Sequence, residues 1–260
     1  MRLVTLCAVF LTVAGAQTGQ QRGQQAIDEA VAAMGGEKFL NMRGRIEYGR
    51  AYSFYNERLS GLSKARISVR YVPPSKPGAL GIEERQAFGK NEDSGAIFSG
   101  GKGWQFSFRG ARPLPDDLYE RYRISTLHNV FYILRQRLKE PGMIFELKRT
   151  DVFENQPVHI VDITDSDNRT VTVYFHMSTR LPVRQVYFRR DPQTRDRIEE
   201  VTTFSKYREV DGVQWPYAVQ RERNGEKIFE MYAESVNTDP KLPDSLFQVE
   251  GKLKVLPPAK

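Results

Sequence analysis

The clearest pattern along the chain is an alternation of apolar and polar residues between positions 157 and 236. Val171, Val173 and Phe175 share one face of a strand-like segment, and threonine and tyrosine side chains occupy the other face. A period of two is typical of a half-buried antiparallel strand. Short turns separate such segments, and Asn224-Gly225 suits the positive φ angles of a type I′ turn. The C-terminal half is therefore predicted to be an antiparallel meander.

The N-terminal half repeats this alternation in two segments, near residues 65–72 and 104–109. Each segment places three large apolar residues on one face, with polar or charged residues on the other. The six residues are Ile67, Val69 and Tyr71 in the first segment and Trp104, Phe106 and Phe108 in the second. Each segment is therefore predicted to be a strand with one face turned to a core or a cavity.

Two stretches have helical spacing instead. Apolar residues recur every three or four positions from Ile27 to Met34, and Gly35-Gly36 ends the pattern as a C-cap would. A second apolar stripe runs from Asp116, whose acidic side chain suits a helix N-terminus, to Leu138, before Pro141-Gly142. The predicted fold class is mainly β, formally α+β, with two helices covering an antiparallel sheet.

The first residues predict export. Arg2 precedes the apolar run Leu3–Val13, and Ala14-Gly15-Ala16 fits the small-residue cleavage rule. We expect a signal peptide over residues 1–16, cleaved after Ala16, and a periplasmic mature protein. The further divisions that we predict are a polar linker at 17–25, a single domain at 26–250 and a tail at 251–260.

Composition excludes several kinds of chemistry. Hydrophobic residues make up 40% of the 260 positions, enough for a sizeable core. The only cysteine, Cys7, lies within the predicted signal, so disulfides, thiolate nucleophiles and cysteine metal clusters are not expected after cleavage. His128, His159 and His176 lack metal-binding spacing, and we expect surface or edge positions for them, without a metal or cofactor. Each division and exclusion here is an expectation from sequence.

Charge and motifs point away from nucleic acid and from catalysis. The formal charge is +7, but export and the absence of a basic strip with interleaved aromatics argue against nucleic-acid binding. No Gly-x-Ser-x-Gly elbow occurs, and Glu199 and Glu200 would point to opposite faces of a strand. We therefore expect no enzyme and assign no catalytic residue, while an exported hydrolase assembled from scattered residues remains a third hypothesis.

One arrangement resembles a known family. The segments 151–163, 171–175, 178–184 and 207–216 look like the successive hairpin strands of the periplasmic outer-membrane lipoprotein carriers and receptors, the LolA/LolB-like superfamily. This resemblance implies an incomplete antiparallel β-barrel, or half-barrel, covered by helices. In known members the inner apolar face holds the acyl chains of a lipoprotein or another lipid.

The resemblance implies a function and a set of residues. It favours a non-enzymatic periplasmic carrier whose partners are lipid or lipoprotein acyl chains, and it leaves room for an envelope protein partner and for peripheral membrane contact. A sensor or regulatory module of the same fold, binding a protein partner, is the alternative. The expected cavity lining is Trp104, Phe106, Phe108, Ile67, Val69, Tyr71, Val171, Val173 and Phe175. Without the resemblance, ordinary core is the simpler interpretation of the three aromatics.

Overall fold

The protein folds around one open antiparallel sheet. The computed structural model describes residues 17–74, 79–249, 251 and 253–258, so the predicted signal peptide lies outside the described residues. The described residues form thirteen strands: β1 Gly44–Tyr55, β2 Arg58–Tyr71, β3 Ile82–Phe88, β4 Ser94–Ser99, β5 Lys102–Ser107, β6 Gly110–Pro113, β7 Ile144–Phe153, β8 Gln156–Thr164, β9 Thr170–His176, β10 Pro182–Arg190, β11 Arg197–Val210, β12 Val213–Arg223 and β13 Glu226–Asn237.

The strand order follows the chain in two runs. It reads β6-β5-β4-β3-β2-β1-β13-β12-β11-β10-β9-β8-β7, with β1 and β13 joining the two halves. Within the described residues β6 and β7 do not pair with each other, so the sheet stays open. Asn224 and Gly225, with φ angles of 50° and 82°, form the tight turn predicted between β12 and β13. The predicted mainly β fold with an incompletely closed sheet is confirmed.

The N-terminal helix is longer than the apolar spacing indicated. Helix α1 spans Gly19–Met34 and is followed by α2, Glu37–Asn41. Thr18 caps α1: its hydroxyl accepts from the backbone N–H of Gln21, and the Gln21 side chain accepts from the Thr18 N–H. The prediction of a polar linker at 17–25 is therefore wrong, because this capping box starts the helix inside the glutamine-rich tract.

The helical segment between β6 and β7 is broken. Helix α3 spans Asp116–Leu127, α4 spans Val130–Tyr132, and a π-helix follows at Ile133–Arg137. Asn129 is extended, and its side chain accepts from the Tyr132 N–H, so it ends one helix and begins another. One continuous helix to Leu138 is therefore a wrong prediction.

The core between α1 and the second half of the sheet is tightly packed. We call the sheet face that bears Val161, Val173 and Phe204 the inner face; its buried side chains form one cluster with Ile27 and Met34 of α1. Gly23 brings α1 against the edge of β7, since a Cβ there would lie 2.4 Å from the Phe145 carbonyl oxygen. The helix axis can approach the sheet closely only because residue 23 lacks a side chain.

A buried ion pair fixes the π-helix to the turn after β8. Arg137 Nη2 lies 2.9 Å from Asp165 Oδ2, and both side chains are almost fully buried. Burial alone would raise the pKa of the Asp165 carboxyl, but hydrogen bonds from Arg137 and Arg169 lower it to about 2. Asp165 therefore stays ionised while the protein is folded at neutral pH.

A smaller core lies on the opposite, outer face of the sheet. Phe106 is buried there with Ile97, Ala111 and Val249. The Ala111 N–H donates to the Lys254 carbonyl at 2.8 Å, and the Leu256 N–H donates to Ala111 at 2.7 Å. Residues 254–256 of the predicted tail at 251–260 therefore pair with the edge of β6.

Candidate ligand-binding cavity

A cavity of about 650 Å³ lies between the inner face and helices α3 and α4. This volume falls within the roughly 300–1,000 Å³ that small-molecule sites occupy. Its apolar lining comes from both halves of the sheet and from the inserted helices: Ala51, Leu62, Ile67, Ile82, Phe88, Phe131, Tyr132, Phe204, Val219, Ile228, Phe229 and Met231. The cavity can therefore hold a substantial apolar group.

Strand pairing arranges part of this lining as a continuous apolar row. Ala51 of β1 pairs with Met231 of β13, Met231 pairs with Val219 of β12, and Val219 pairs with Phe204 of β11. Paired residues on adjacent antiparallel strands point to the same face. The row consequently crosses four strands and forms an apolar floor for the cavity.

One end of the cavity contains a buried ion pair. Arg45 Nε lies 2.6 Å from Glu47 Oε1, and an Arg45 Nη1–H donates to the Tyr71 hydroxyl at 3.2 Å. The guanidinium also stacks 4.6 Å from the centre of the Trp215 ring. Burial opposes the charge on Arg45, but Tyr71 and Glu47 outweigh it and raise the Arg45 pKa. Arg45 is therefore a fixed cation whose charge Glu47 neutralises.

Helix α3 covers the cavity through polar and aromatic contacts. Tyr122 stacks on Phe98 of β4, with ring centres 3.5 Å apart, and its hydroxyl donates to Glu84 at 3.0 Å. Burial, together with the Glu84 carboxylate, raises the pKa of Tyr122 well above its ordinary value. Nearer its C-terminus, α3 presents Ser125 to Arg221 of β12 at 2.8 Å. These contacts hold the helix above the cavity and leave the space beneath it open.

The structure places few of the predicted lining residues at the cavity. Ile67 and Tyr71 line it. Val69 lies on the same face but is fully buried in a cluster with Leu127 and Tyr132. The other three inner-face residues belong to the packed core shared with α1: Val171, Val173 and Phe175. Helix α1 packs on that half of the inner face, where open space was expected.

None of the three aromatics of the second segment lines the cavity, and their predicted placement there is corrected. Strand pairing connects Phe106 through Gly95 and Ala87 to Arg66, which precedes inward-facing Ile67. Adjacent residues of a strand point to opposite faces. Trp104 and Phe106 therefore lie on the outer face, where Trp104 is partly buried and Phe106 is buried, whereas Phe108 lies in the turn after β5 and is 79% exposed.

His128 is a further correction, since it is buried where a surface or edge position was expected. Its ring stacks on Tyr187 with centres 4.3 Å apart, and its Nδ1 lies 2.7 Å from the Ile124 carbonyl oxygen. Burial lowers the pKa of His128, which favours the neutral ring at neutral pH. This stacking fixes the C-terminal end of α3 on the inner face.

The charged cavity residues were missed because they occupy positions that normally face solvent. In the first part of β1 the lining residues are the charged Arg45 and Glu47, whereas apolar Ile46 and Tyr48 alternate with them and point outward. Reversed polarity of this kind in a strand is a signal for a polar internal cavity. The sequence contains that signal at residues 45–48.

Comparison with known proteins gives the fold. No protein-family model and no curated protein matches the sequence. A LolA superfamily protein of Nitrosomonas europaea matches in structure with a TM-score of 0.54 and 10% identity, over 87% of this chain and 97% of its own. The chain has a LolA-like fold.

Two further structures share this LolA-like fold. One is a DUF1329 family protein of Desulfovibrio piger, with a TM-score of 0.58 and 11% identity over 87% of this chain and 97% of its own. The other is a Vibrio parahaemolyticus domain named for outer membrane lipoprotein sorting, with a TM-score of 0.57 and 11% identity over 88% and 97%. In the described part of the chain, no helix has the length and apolarity needed to cross a membrane.

Proposed function

We propose that this protein is a non-enzymatic carrier that holds the acyl chains of a lipid or lipoprotein in its inner cavity. The observation that carries the proposal is the apolar row from Ala51 to Phe204 at the floor of a cavity of about 650 Å³. Each CH₂ group that leaves water for such a surface contributes about 0.8 kcal/mol. A partly sheltered acyl chain therefore supplies enough free energy for micromolar binding after the cost of association.

The fold and the predicted signal peptide support this proposal. One protein of the same fold is named for outer membrane lipoprotein sorting, a process of the bacterial envelope. Export of this chain after cleavage at Ala16 would place it in the periplasm, where it would meet lipids and lipoproteins and contact a membrane peripherally. The proposed activity needs neither a cofactor nor a catalytic residue, and nucleic acid is not a proposed partner.

The test uses substitutions in the apolar row that fill part of the cavity. Ala51→Trp and Met231→Trp each add bulk within the apolar row, and Phe108→Trp is the matched control at an exposed position in the turn after β5. We expect the wild type to take up N-phenyl-1-naphthylamine with enhanced fluorescence and to release it to dodecanol. Both cavity variants should lose about tenfold or more in affinity, because the added indole occupies ligand space. Melting curves establish that each variant is folded.

Three results would contradict the proposal. The first is a wild type that takes up no probe, and the second is folded cavity variants that bind as tightly as the control. The third is a tight complex with an envelope protein that forms while the cavity is empty, which would favour the regulatory alternative. Turnover of a generic ester or glycoside, abolished by a single substitution, would instead support the hydrolase hypothesis.

A further inference from the structure

A group of arginines lies on the inner face, beside the part of the cavity that Arg221 and Thr202 line. Arg189 Nη2 and Arg223 Nε lie 2.8 and 3.1 Å from the same Glu200 oxygen, Oε1. The Arg189 and Glu200 side chains are nearly fully buried, at 6% and 8% exposed, whereas Arg223 is 35% exposed. One carboxylate therefore serves two guanidinium groups, and the more accessible of the two is Arg223.

A third arginine, Arg221, points into the cavity itself. Its Nη2 donates to the Ser125 hydroxyl at 2.8 Å, which is a neutral partner. Among the residues that the structure describes, no carboxylate forms an ion pair with Arg221. Glu226 pairs with Arg223 across the β12–β13 turn and points to the same face, so the three arginines exceed Glu200 and Glu226 by one positive charge at this end. Beyond them, Asp191 interacts with both Arg189 and Arg121, and including Asp191 and Arg121 together leaves the same excess of positive charge.

Strand pairing places this charge directly beside the apolar row. Val219 belongs to the row, and two residues further along β12 Arg221 pairs with Phe229 and Thr202. Two residues of a strand cover about 7 Å. The next inner-face position, Arg223, pairs with Glu200. Along one strand the lining therefore changes from apolar to cationic, and a ligand with an apolar chain and an anionic end would match that order.

The other charged end of the cavity offers no comparable site for an anion. There the Arg45 guanidinium is neutralised by Glu47 at 2.6 Å. Glu84, also in the lining, accepts hydrogen bonds from Tyr122 and Gln86 and adds negative charge. A negatively charged group is repelled by these carboxylates and attracted by the arginine end. The electrostatics of the cavity thus define one orientation.

We propose that the cavity binds an anionic amphiphile, with its phosphate or carboxylate head against Arg221 and Arg223 and its apolar chain along the row from Ala51 to Phe204. This inference rests on the proposed carrier function and specifies the ligand for that same cavity. Guanidinium groups bind such oxyanions through charge-assisted, often bidentate hydrogen bonds. The head group supplies the counter-charge that Arg221 lacks among the described residues.

The test compares single-chain amphiphiles of equal length by calorimetry below their micelle concentrations. Dodecyl phosphate and dodecanoate are the two anionic probes, dodecanol is the neutral one, and dodecyltrimethylammonium is the cationic one. The wild type is expected to bind an anionic probe at least tenfold more tightly than dodecanol, with the cationic probe weakest. The anion that binds more tightly identifies the head group as phosphate or carboxylate.

Arg221→Gln keeps a donor for Ser125 but removes the charge, and Arg190→Gln is its matched control. Arg190 is exposed and alternates with inward-facing Arg189, so it points to the outer face. Arg221→Gln should abolish the preference for anions over dodecanol, whereas Arg190→Gln should preserve that preference. Equal binding of dodecanol and both anions by the wild type would overturn the head-group site but leave the carrier function intact. Failure of all four probes to bind would overturn both.

Discussion

The two halves of the inner face differ in what covers them. Over β7–β9, helix α1 lies close enough that Ile27, Ala30 and Met34 are completely buried. Over the other half, helix α3 buries little beyond Thr126 and Leu127 and contacts β3, β4 and β12 through the Tyr122 ring and the hydroxyl groups of Tyr122 and Ser125. The difference shows that one sheet face can serve as core or as cavity. The deciding factor is whether the covering helix presents an apolar stripe.

The largest expected effect comes from replacing one isoleucine by alanine in each half of the inner face. Ile163→Ala in the packed half should lower the free energy of unfolding by about 4 kcal/mol, because tightly packed neighbours cannot collapse into the new space. Ile67→Ala at the cavity should cost about 2 kcal/mol, since the side chain already borders open space. Urea unfolding measures both values. Equal losses would mean that the two halves are packed alike.

A second experiment sharpens the comparison at the contact of α1 with β7. Gly23→Ala should destabilise the protein by about 2 kcal/mol, because the new methyl group forces the helix away from the Phe145 carbonyl. Gly19→Ala is the matched control in the same helix; its Cβ would lie 3.4 Å from the Leu147 carbonyl oxygen. There the gain in helix propensity should offset the tighter contact. A lower melting temperature for Gly19→Ala than for Gly23→Ala would contradict this account of the close approach between α1 and β7.

The pH dependence of stability tests the buried ion pair between Arg137 and Asp165. The folded-state pKa of Asp165 is about 2, below its ordinary value of 3.8. The contribution of this carboxylate to the free energy of unfolding is therefore complete above pH 4–5 and is lost as the pH falls toward 2. The expected loss is about 2 kcal/mol, at 1.4 kcal/mol per pKa unit. Unfolding free energies from pH 7 to pH 2 measure it. The loss should disappear in Asp165→Asn and persist in Asp167→Asn, which alters an exposed carboxylate.

The sequence predicted the sheet well and the cavity poorly. The alternation around Val171 and Phe175 was enough to predict strands, and Asn224-Gly225 was enough to predict a turn. Both signals depend only on neighbouring residues in the sequence. Which face of the sheet a strand presents inward depends on pairing across several strands. That pairing put Phe106 on the outer face, although its own segment looks like the segment of Ile67.

The polar part of the site was harder to predict for a related reason. Arg45, Glu84 and Arg221 lie on three strands distant in sequence, and only the folded sheet and α3 bring them to one cavity. Each of them alone looks like an ordinary surface charge. The excess positive charge at Arg221 and Arg223 is visible only when side chains can be paired with their partners in three dimensions.

The open sheet has two free edges, and exposed strand edges invite other chains to add to them. Here a segment distant in sequence covers part of each edge: α1 lies against residues 145–147 of β7, and residues 254–256 bond to Ala111 of β6. These segments act as built-in protection against polymerisation. A half-barrel can thus keep its interior open to a ligand without offering its backbone to a second copy of the chain.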